Sequence, residues 1–284
     1  MSLDRSGTFR EISFPEASVG NWICIDTEEQ SGKFNMDFDI HLVDEFNLSG
    51  KPVLRFYTWE PYCISLGKNQ NDSDINYQLA RLDSIDVVKR PTGGKAVLHA
   101  EELTYSVVMK TDGLSVRESY NLISSALAEG LREICGDLEL SQSSPNFRKT
   151  FHDPSTIPCF STSAVYEVEW HGKKLVGSAQ HRFACPLGGD TLLQHGSILI
   201  GDFHKRIVEY LNVDEEMKAK AAADLDSHTV TLTEILKRKV DPTEIKEAVK
   251  TGFQKVLGAN FDRGNRPCKG PAPLQGFSPL IAEG

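Results

Sequence analysis

Cys159 stands at the end of a long polar stretch, "LSQSSPNFRKTFHDPSTIP", and just ahead of "AVYEVEWHGKKLVGSAQ". A cysteine attacks carbonyl carbon as its thiolate, and an electropositive neighbour favours that form. Lys173 and Lys174 are close enough in sequence to supply the charge if the segment folds back on itself. Strand alternation sends the two lysines to opposite faces, so at most one of them faces a pocket. Gly177, Ser178 and Ala179 follow, and small residues in a strand mark close approach by a ligand or by another backbone. Gly196, expected to interrupt its strand, and Ser197, in "LQHGSILI", repeat the hint. Upstream, "KRPTGGKAVLH" sets Gly93 and Gly94 between Arg90 and Lys95, with His99 on the way out. That loop reads either as a hairpin loop whose glycines allow positive backbone angles or as a backbone cradle for a ligand. His99 and His195 are candidate acid–base groups or satisfied structural histidines. Neither the phosphate-binding loop pattern nor the dinucleotide fingerprint occurs.

These residues need elements to hold them. "AVYEVEW" alternates, "HG" turns and "KKLVGSA" returns, which predicts a hairpin. "NWICIDT", "KPVLRFYTWEP", "LTYSVVMK" and "TLLQHGSILI" read as strands, and "FNMDFDIHLVDEF" and residues 74–83 as helices. Ser115 and Glu118 have the spacing of a capping box. Tyr120, Ile123, Leu127, Leu131 and Ile134 then form one apolar stripe, and Gly136 is a stop. Asp241 caps a second clear helix with Pro242 at its first position, Ile245, Val249, Phe253 and Val256 inward, and Gly258 at its end. "DFHKRIVEYL" and "DEEMKAKAAADL" are also helical, whereas 137–158 shows no sustained period. Hairpin-like runs of strands mixed with helices predict an α/β (α+β) fold with a mixed sheet. The expected division is a catalytic domain over 1–212 and a helical C-terminal segment with its tail over 213–284.

The chain has 284 residues, 39% hydrophobic and 25% charged, with a formal net charge of -9. An acidic balance disfavours nucleic acid as a partner. No run of about 20 apolar residues and no secretory leader is seen, so a cytoplasmic protein, monomeric by default, is expected. The six cysteines are scattered without metal-ligand spacing. Cys24, Cys63 and Cys135 are expected in the core, while Cys185 and Cys268 fall in loops.

The ordered motifs "RPTGGKAVLH", "GKKLVGSAQ" and "LQHGSIL" resemble the lipoate–protein ligase A and octanoyltransferase family, which is related to biotin protein ligases. The resemblance implies a mixed α/β ligase fold with an acyl tunnel. It implies two chemistries: ATP-dependent ligation of free lipoate, or transfer of octanoyl from acyl carrier protein through a cysteine thioester. "PCFSTSAVYEV" is similar to the cysteine loop of the second group. The resemblance then implies Cys159 as nucleophile and Lys174 as the family's active-site lysine. Arg90, Gly93, Gly94 and His99 would line the acyl pocket, with Gly177, Ser178 and Ala179 opposite. Lys95, His195 and Gly196 complete the expected substrate-binding set. Lys95 stands where the family usually has arginine, keeping the charge but not the planar fork. No cofactor is expected for the transferase; ATP and Mg belong to the ligase alternative. The expected acceptor is a lipoyl carrier protein, such as the glycine-cleavage H protein or an E2 lipoyl domain. Movement of the acyl group between two lipoyl domains is a further alternative, and a non-enzymatic acyl or carrier binder a third. An acidic acyl carrier would need a basic patch on this acidic chain, expected from Lys68, Arg90, Lys95, Arg148 and Lys149.

Overall fold

The computed structural model describes residues 20–141, 167–186 and 188–261, with the backbone of 2–3 and 9–10. Those last two pairs form a small ladder, β1 (Ser2–Leu3) with β2 (Phe9–Arg10). An eight-stranded mixed sheet is built from β3 (Gly20–Gln30), β4 (Val53–Trp59), β8 (Glu102–Lys110), β9 (Leu138–Leu140), β10 (Val168–Trp170), β11 (Lys173–Ala184), β12 (Asp190–Leu199) and β13 (Ala259–Phe261). Its order is β13-β3-β4-β8-β12-β11-β10-β9. A second sheet runs β6 (Asp86–Lys89), β5 (Cys63–Leu66), β7 (Val97–His99).

The alternation of β8 sorts the molecule into two sides. Leu103, Tyr105, Val107 and Met109 enter the main apolar core. That core is closed by α3 (Val116–Cys135), through Ile123, Leu127 and Leu131, and by the Pro242–Leu257 helix, through Ile245, Val249 and Phe253. The two helices touch backbone to backbone. A Cβ on Gly130 would lie 2.1 Å from the Ala248 carbonyl oxygen, and one on Gly252 2.0 Å from that of Ala126. The C-terminal segment therefore shares the core of the preceding residues, and β13 adds to β3 in parallel. Glu102, Thr104 and Ser106, the alternate residues of β8, are buried polar groups. Their side of the sheet, with Arg55 and Tyr57 of β4 and His195 and Ser197 of β12, faces α1 (Gly32–Ser49) and the small sheet. Burying such groups is costly unless they are paired; Glu102 Oε1 and Thr104 Oγ1 are hydrogen-bonded, whereas Glu102 Oε2 and Ser106 Oγ have no partner among the described residues.

Local signals set the element ends as expected. Ser115 and Glu118 form a complete capping box, and Gly136 follows α3. Asp241 caps the helix that has Pro242 at its start, and Gly258 ends it in the left-handed conformation with φ 62°. The turn after β10 takes positive φ at His171 and Gly172, as a two-residue hairpin requires. Three expectations are corrected. The Pro-Thr-Gly-Gly loop is not a hairpin loop, because β5 sits between β6 and β7. Gly196 does not interrupt its strand, which pairs continuously with β8 and β11. Leu138–Leu140, read as irregular, is a strand on β10. Cys63 is buried in β5, Cys24 and Cys135 are half-buried, and Cys185 is buried. No helix among the described residues is long and apolar enough to cross a membrane.

The 3-10 helix Phe203–Tyr210 buries His204, whose Nδ1 lies 3.2 Å from the Gly201 carbonyl oxygen. Burial pushes its imidazole down from 6.5 to about 4. The unfolded chain takes up this proton below about 6.5, the native protein only below about 4. Stability from neutral burial is thus complete above about pH 6.5 and falls by about 3 kcal/mol as pH drops to about 4. Urea titrations across that range should show the loss, and His204→Gln should flatten it.

Candidate functional site

A narrow cleft opens between the polar side of the main sheet and the small sheet. Its lining includes Met36, Tyr57, Trp59, Arg90, Val97, His99, Gly177, Ser178, Ala179, His195 and Gly196. Of the residues expected at the site, those from Arg90, His99, β11 and β12 come together here. Gly93, Gly94 and Lys95 lie in the adjoining loop.

Arg90 is occupied in holding that loop. Its Nε donates to the Gly93 carbonyl at 3.1 Å, and its Nη2 donates to the Gly93 and Lys95 carbonyls at 2.8 and 2.7 Å. Its Nη1 donates to the carbonyl and hydroxyl oxygens of Ser65 at 2.9 and 3.0 Å. Gly94 has φ 94°, which favours glycine, whereas a Cβ on Gly93 would meet nothing within 4 Å. Gly67 packs on the same loop, where a Cβ would lie 1.9 Å from the Gly94 oxygen.

Each histidine is held at both ring nitrogens. Arg90 can only donate, so the Ser65 hydroxyl accepts from it, and the same hydroxyl lies 2.7 Å from His99 Nε2. His99 Nδ1 then donates to Glu102 Oε1 at 2.9 Å. Trp59 stacks on the His99 ring with centroids 4.1 Å apart, and its Nε1 donates to Thr104 Oγ1 at 2.7 Å. Burial raises the Glu102 carboxyl, but His99 and the surrounding hydroxyls outweigh it and hold it below the usual range. On the other side, His195 Nδ1 donates to Asp39 Oδ2 at 2.9 Å, and Thr92 Oγ1 donates to Nε2 at 2.7 Å. Asp39 also receives Arg55 Nη1 at 2.8 Å and the Tyr57 hydroxyl at 3.1 Å. Burial alone would raise Asp39; His195 and Arg55 together bring it below its ordinary value. Burial holds His195 below its ordinary value, against the pull of Asp39. Both histidines thus use both nitrogens within the protein. Tyr57, between Arg55 and Asp39, has its hydroxyl raised well above the usual value by burial and then by the Asp39 charge.

Gly196 is small for another reason than ligand access. A Cβ there would lie 2.5 Å from the Gly177 oxygen and 2.8 Å from Tyr105 Cε1. Ser178 Oγ is 2.7 Å from the Tyr105 hydroxyl, and its carbonyl accepts from Tyr120 at 3.2 Å. Lys174 does not line the cleft among the described residues. It is buried, with 1% of its side chain exposed, and its Nζ is 2.7 Å from Glu167 Oε1, itself 3% exposed. Lys173 is half-buried and donates to the Asp226 carbonyl, so the alternation separates the two lysines. Cys159 lies outside the described residues, as do Cys268, Arg148 and Lys149. Among the described residues no group of His, Cys, Asp and Glu has the arrangement of a metal site.

Asp39, Glu102, Ser65 and Thr92 carry this site and were not singled out by sequence. A signal existed for Asp39. In α1 it shares the buried face with Asn35, Leu42 and Phe46, and a carboxylate in such a stripe requires a partner. Glu102 stands three residues after His99, across a turn with φ 50° at Glu101.

The mixed sheet, the loop clamped by Arg90 and the cleft with two buried histidines, each bonded to a carboxylate, make up the frame of the site. The chain belongs to the lipoyl protein ligase A/B catalytic domain family, whose model matches residues 31–254. Among its relatives, octanoyltransferase LipM of Carboxydothermus hydrogenoformans is 37% identical over 252 residues, covering 85% of this chain and 88% of that protein. Octanoyltransferase LipM of an Exiguobacterium species is 34% identical over 249 residues, with coverages of 85% and 88%. That of Bacillus subtilis is 31% identical over 251 residues, again with coverages of 85% and 88%. A crystal structure of lipoate–protein ligase A bound with ATP matches with a TM-score of 0.68 at 20% identity, covering 85% of this chain and 87% of that one. Protein Ta0514 of T. acidophilum with bound lipoic acid matches at 0.67 and 18% identity, covering 85% and 88%. At these identities the structural likeness shows the fold alone, and it is the mixed α/β ligase fold expected from the motifs.

Proposed function

We propose that this chain is an octanoyltransferase of lipoate biosynthesis, an acyltransferase that places an octanoyl group on the lysine of a lipoyl domain. The observation that carries this reading is the identity of 31–37% to octanoyltransferases across 85% of the chain. The cleft supports it, because Met36, Val97 and the aromatic faces of Tyr57 and Trp59 give an acyl chain apolar walls.

In the finer reading, acyl carrier protein donates and Cys159 is the nucleophile. The Cys159 thiolate attacks the thioester carbonyl, a new carbon–sulfur bond forms, and the donor thiolate leaves and takes up a proton. One thioester replaces another, so the step needs no ATP. The acceptor lysine, ordinarily of pKa about 10.4, loses a proton on docking. Its amine then attacks the acyl-enzyme, the amide forms and the Cys159 thiolate departs. Lys174, with Glu167 beside it, stabilises negative charge on sulfur or on the tetrahedral oxygen. The lipoyl domain of the glycine-cleavage H protein is the proposed acceptor.

Intact-protein mass after mixing with octanoyl–acyl carrier protein, without ATP, tests this reading. One octanoyl group should be gained, labile to hydroxylamine and absent in Cys159→Ala. Carrier modification that appears only with ATP and free lipoate or octanoate would instead make the chain a ligase.

A further inference from the structure

Along β11, Gly177, Ala179 and His181 alternate onto one face, and the first two line the cleft. His181 is the next residue on that face, about 7 Å beyond Ala179 at the rise of a strand. From the opposite side, the turn at Gly67 and Lys68 lies on the Pro-Thr-Gly-Gly loop: the Lys68 amide donates to the Thr92 carbonyl at 2.8 Å. The Lys68 side chain spans the rim and puts Nζ 3.3 Å from His181 Nε2. The edge of Phe183 braces the imidazole, with centroids 4.7 Å apart.

This pair differs from the ion pairs of the chain. The protein has a formal net charge of -9, and Lys33, Lys89, Lys205, Lys246 and Lys255 each meet a carboxylate. Among the described residues, no carboxylate pairs with Lys68 or His181. Instead an ammonium, which only donates, faces a ring nitrogen that must accept from it. Burial and then the Lys68 charge hold the imidazole below its usual range. An anion beside the two groups would accept a hydrogen bond from the Lys68 ammonium and a second from His181 once Nε2 carries the ring proton. Gly93 adds to the rim a main chain beside which a Cβ would meet nothing within 4 Å.

We propose that Lys68 and His181 form a seat for the phosphoryl group of the acyl donor, at the rim of the cleft that takes its acyl chain. This rests on the octanoyl-transfer reading, in which the acyl group arrives on a phosphopantetheine arm. Arg90, expected in a basic patch, is committed to the loop, so the rim's charge comes from Lys68, with His181 as its second donor. A phosphoryl group is favoured over a carboxylate of the carrier surface because it offers several acceptor oxygens to two donors set side by side.

Calorimetric titration of the full chain with 4′-phosphopantetheine and with pantetheine tests the seat. The wild type should bind the phosphorylated compound at least about tenfold more tightly, a difference of about 1.4 kcal/mol. Lys68→Met and His181→Gln should each reduce that ratio, and the double variant should bring it near one. Lys68 is exposed and His181 half-buried, so unchanged urea midpoints are expected for both variants. Equal affinity of the wild type for the two compounds, no binding of either, or a ratio that survives in the double variant would overturn the seat. Equal affinity, combined with weaker use of octanoyl–acyl carrier protein by the variants, would assign the rim to the carrier's carboxylates instead. The acyl-enzyme assay repeated with octanoyl-pantetheine, which has no phosphate, keeps the two readings apart. Acylation from octanoyl–acyl carrier protein decides the transferase reading, while the rate from octanoyl-pantetheine should be the same in the wild type and the double variant, and a drop there would overturn the seat.

Discussion

Replacing Asp39 with alanine is expected to cost about 3–5 kcal/mol of stability, the range for removing one partner of a buried ion pair. Both side chains of the Asp39–Arg55 pair are 0% exposed. The guanidinium is enclosed by the Tyr57 ring, 3.9 Å from its centroid, and the Phe38 ring at 4.6 Å. Thr27 and Asn35 accept its other hydrogen bonds. These contacts hold the cation in place but carry no negative charge. Without Asp39 the charge remains buried, and His195 Nδ1 and the Tyr57 hydroxyl lose their acceptor as well. The damage should reach the cleft, because His195 tethers Thr92 of the Pro-Thr-Gly-Gly loop. Urea unfolding of Asp39→Ala measures the cost. The double variant Asp39→Leu with Arg55→Met removes both charges and should recover the part of the loss due to the buried unpaired charge, leaving the cost of the His195 and Tyr57 donors that used Asp39. A loss under about 1 kcal/mol for Asp39→Ala would mean that Arg55 is compensated by its neutral partners alone. The pair also has a pH signature. Asp39 and Glu102 are both held below their ordinary values, so their stabilisation is complete above the unfolded-state pKa values near 4. It is lost as pH falls through the lower native values.

The parts of the molecule legible in the sequence are those fixed within a few residues. Ser115 with Glu118, Asp241 with Pro242, and His171–Gly172 act locally, so helix starts and the hairpin could be read directly. The polar face of β8 was written in its alternation, but its use was not. Glu102, Thr104 and Ser106 could equally have faced solvent until the small sheet and α1 were set over them. The hairpin reading of the Pro-Thr-Gly-Gly loop failed for the same reason. Two short strands flanking a glycine pair normally join each other, and nothing within the segment reveals that β5, from about twenty residues earlier in the chain, separates them. His195 and Asp39 are 156 positions apart, and Lys68 and His181 113 apart. Pairings at that range are decided by the sheet order, not by spacing. Motif resemblance reached across this gap for the family and for the residues around the cleft. It did not supply the buried carboxylates that fix both histidines, nor the rim pair.

Lys174→Met should reduce transfer by about 10²–10³-fold, the scale for removing one group that stabilises developing negative charge. It should also destabilise the protein, because Glu167 is left buried beside an apolar side chain, at a cost of about 3–5 kcal/mol. These two losses have different origins and can be separated. Lys174 lies where β11 meets the C-terminal segment: its carbonyl accepts from the Val230 amide at 3.1 Å, and it forms a parallel bridge with Thr229. The methionine stem can keep that packing while the ammonium is removed. In Lys174→Met with Glu167→Leu, both charges of the buried pair are gone, so the urea midpoint should return toward that of the wild type. Acyl transfer should stay low, because the group that faces the thiolate or the oxyanion in the proposed mechanism is still missing. Glu167→Gln alone asks the complementary question. It keeps the shape and a hydrogen-bond acceptor beside Lys174 but removes the carboxylate, so the ammonium stays buried without its countercharge. If Glu167 acts by holding the lysine aimed, this variant should lower the rate of acyl transfer, with donor KM little changed. Should the double variant regain both stability and transfer, Lys174 and Glu167 would be a purely structural pair. The charge that activates Cys159 would then have to come from elsewhere in the chain.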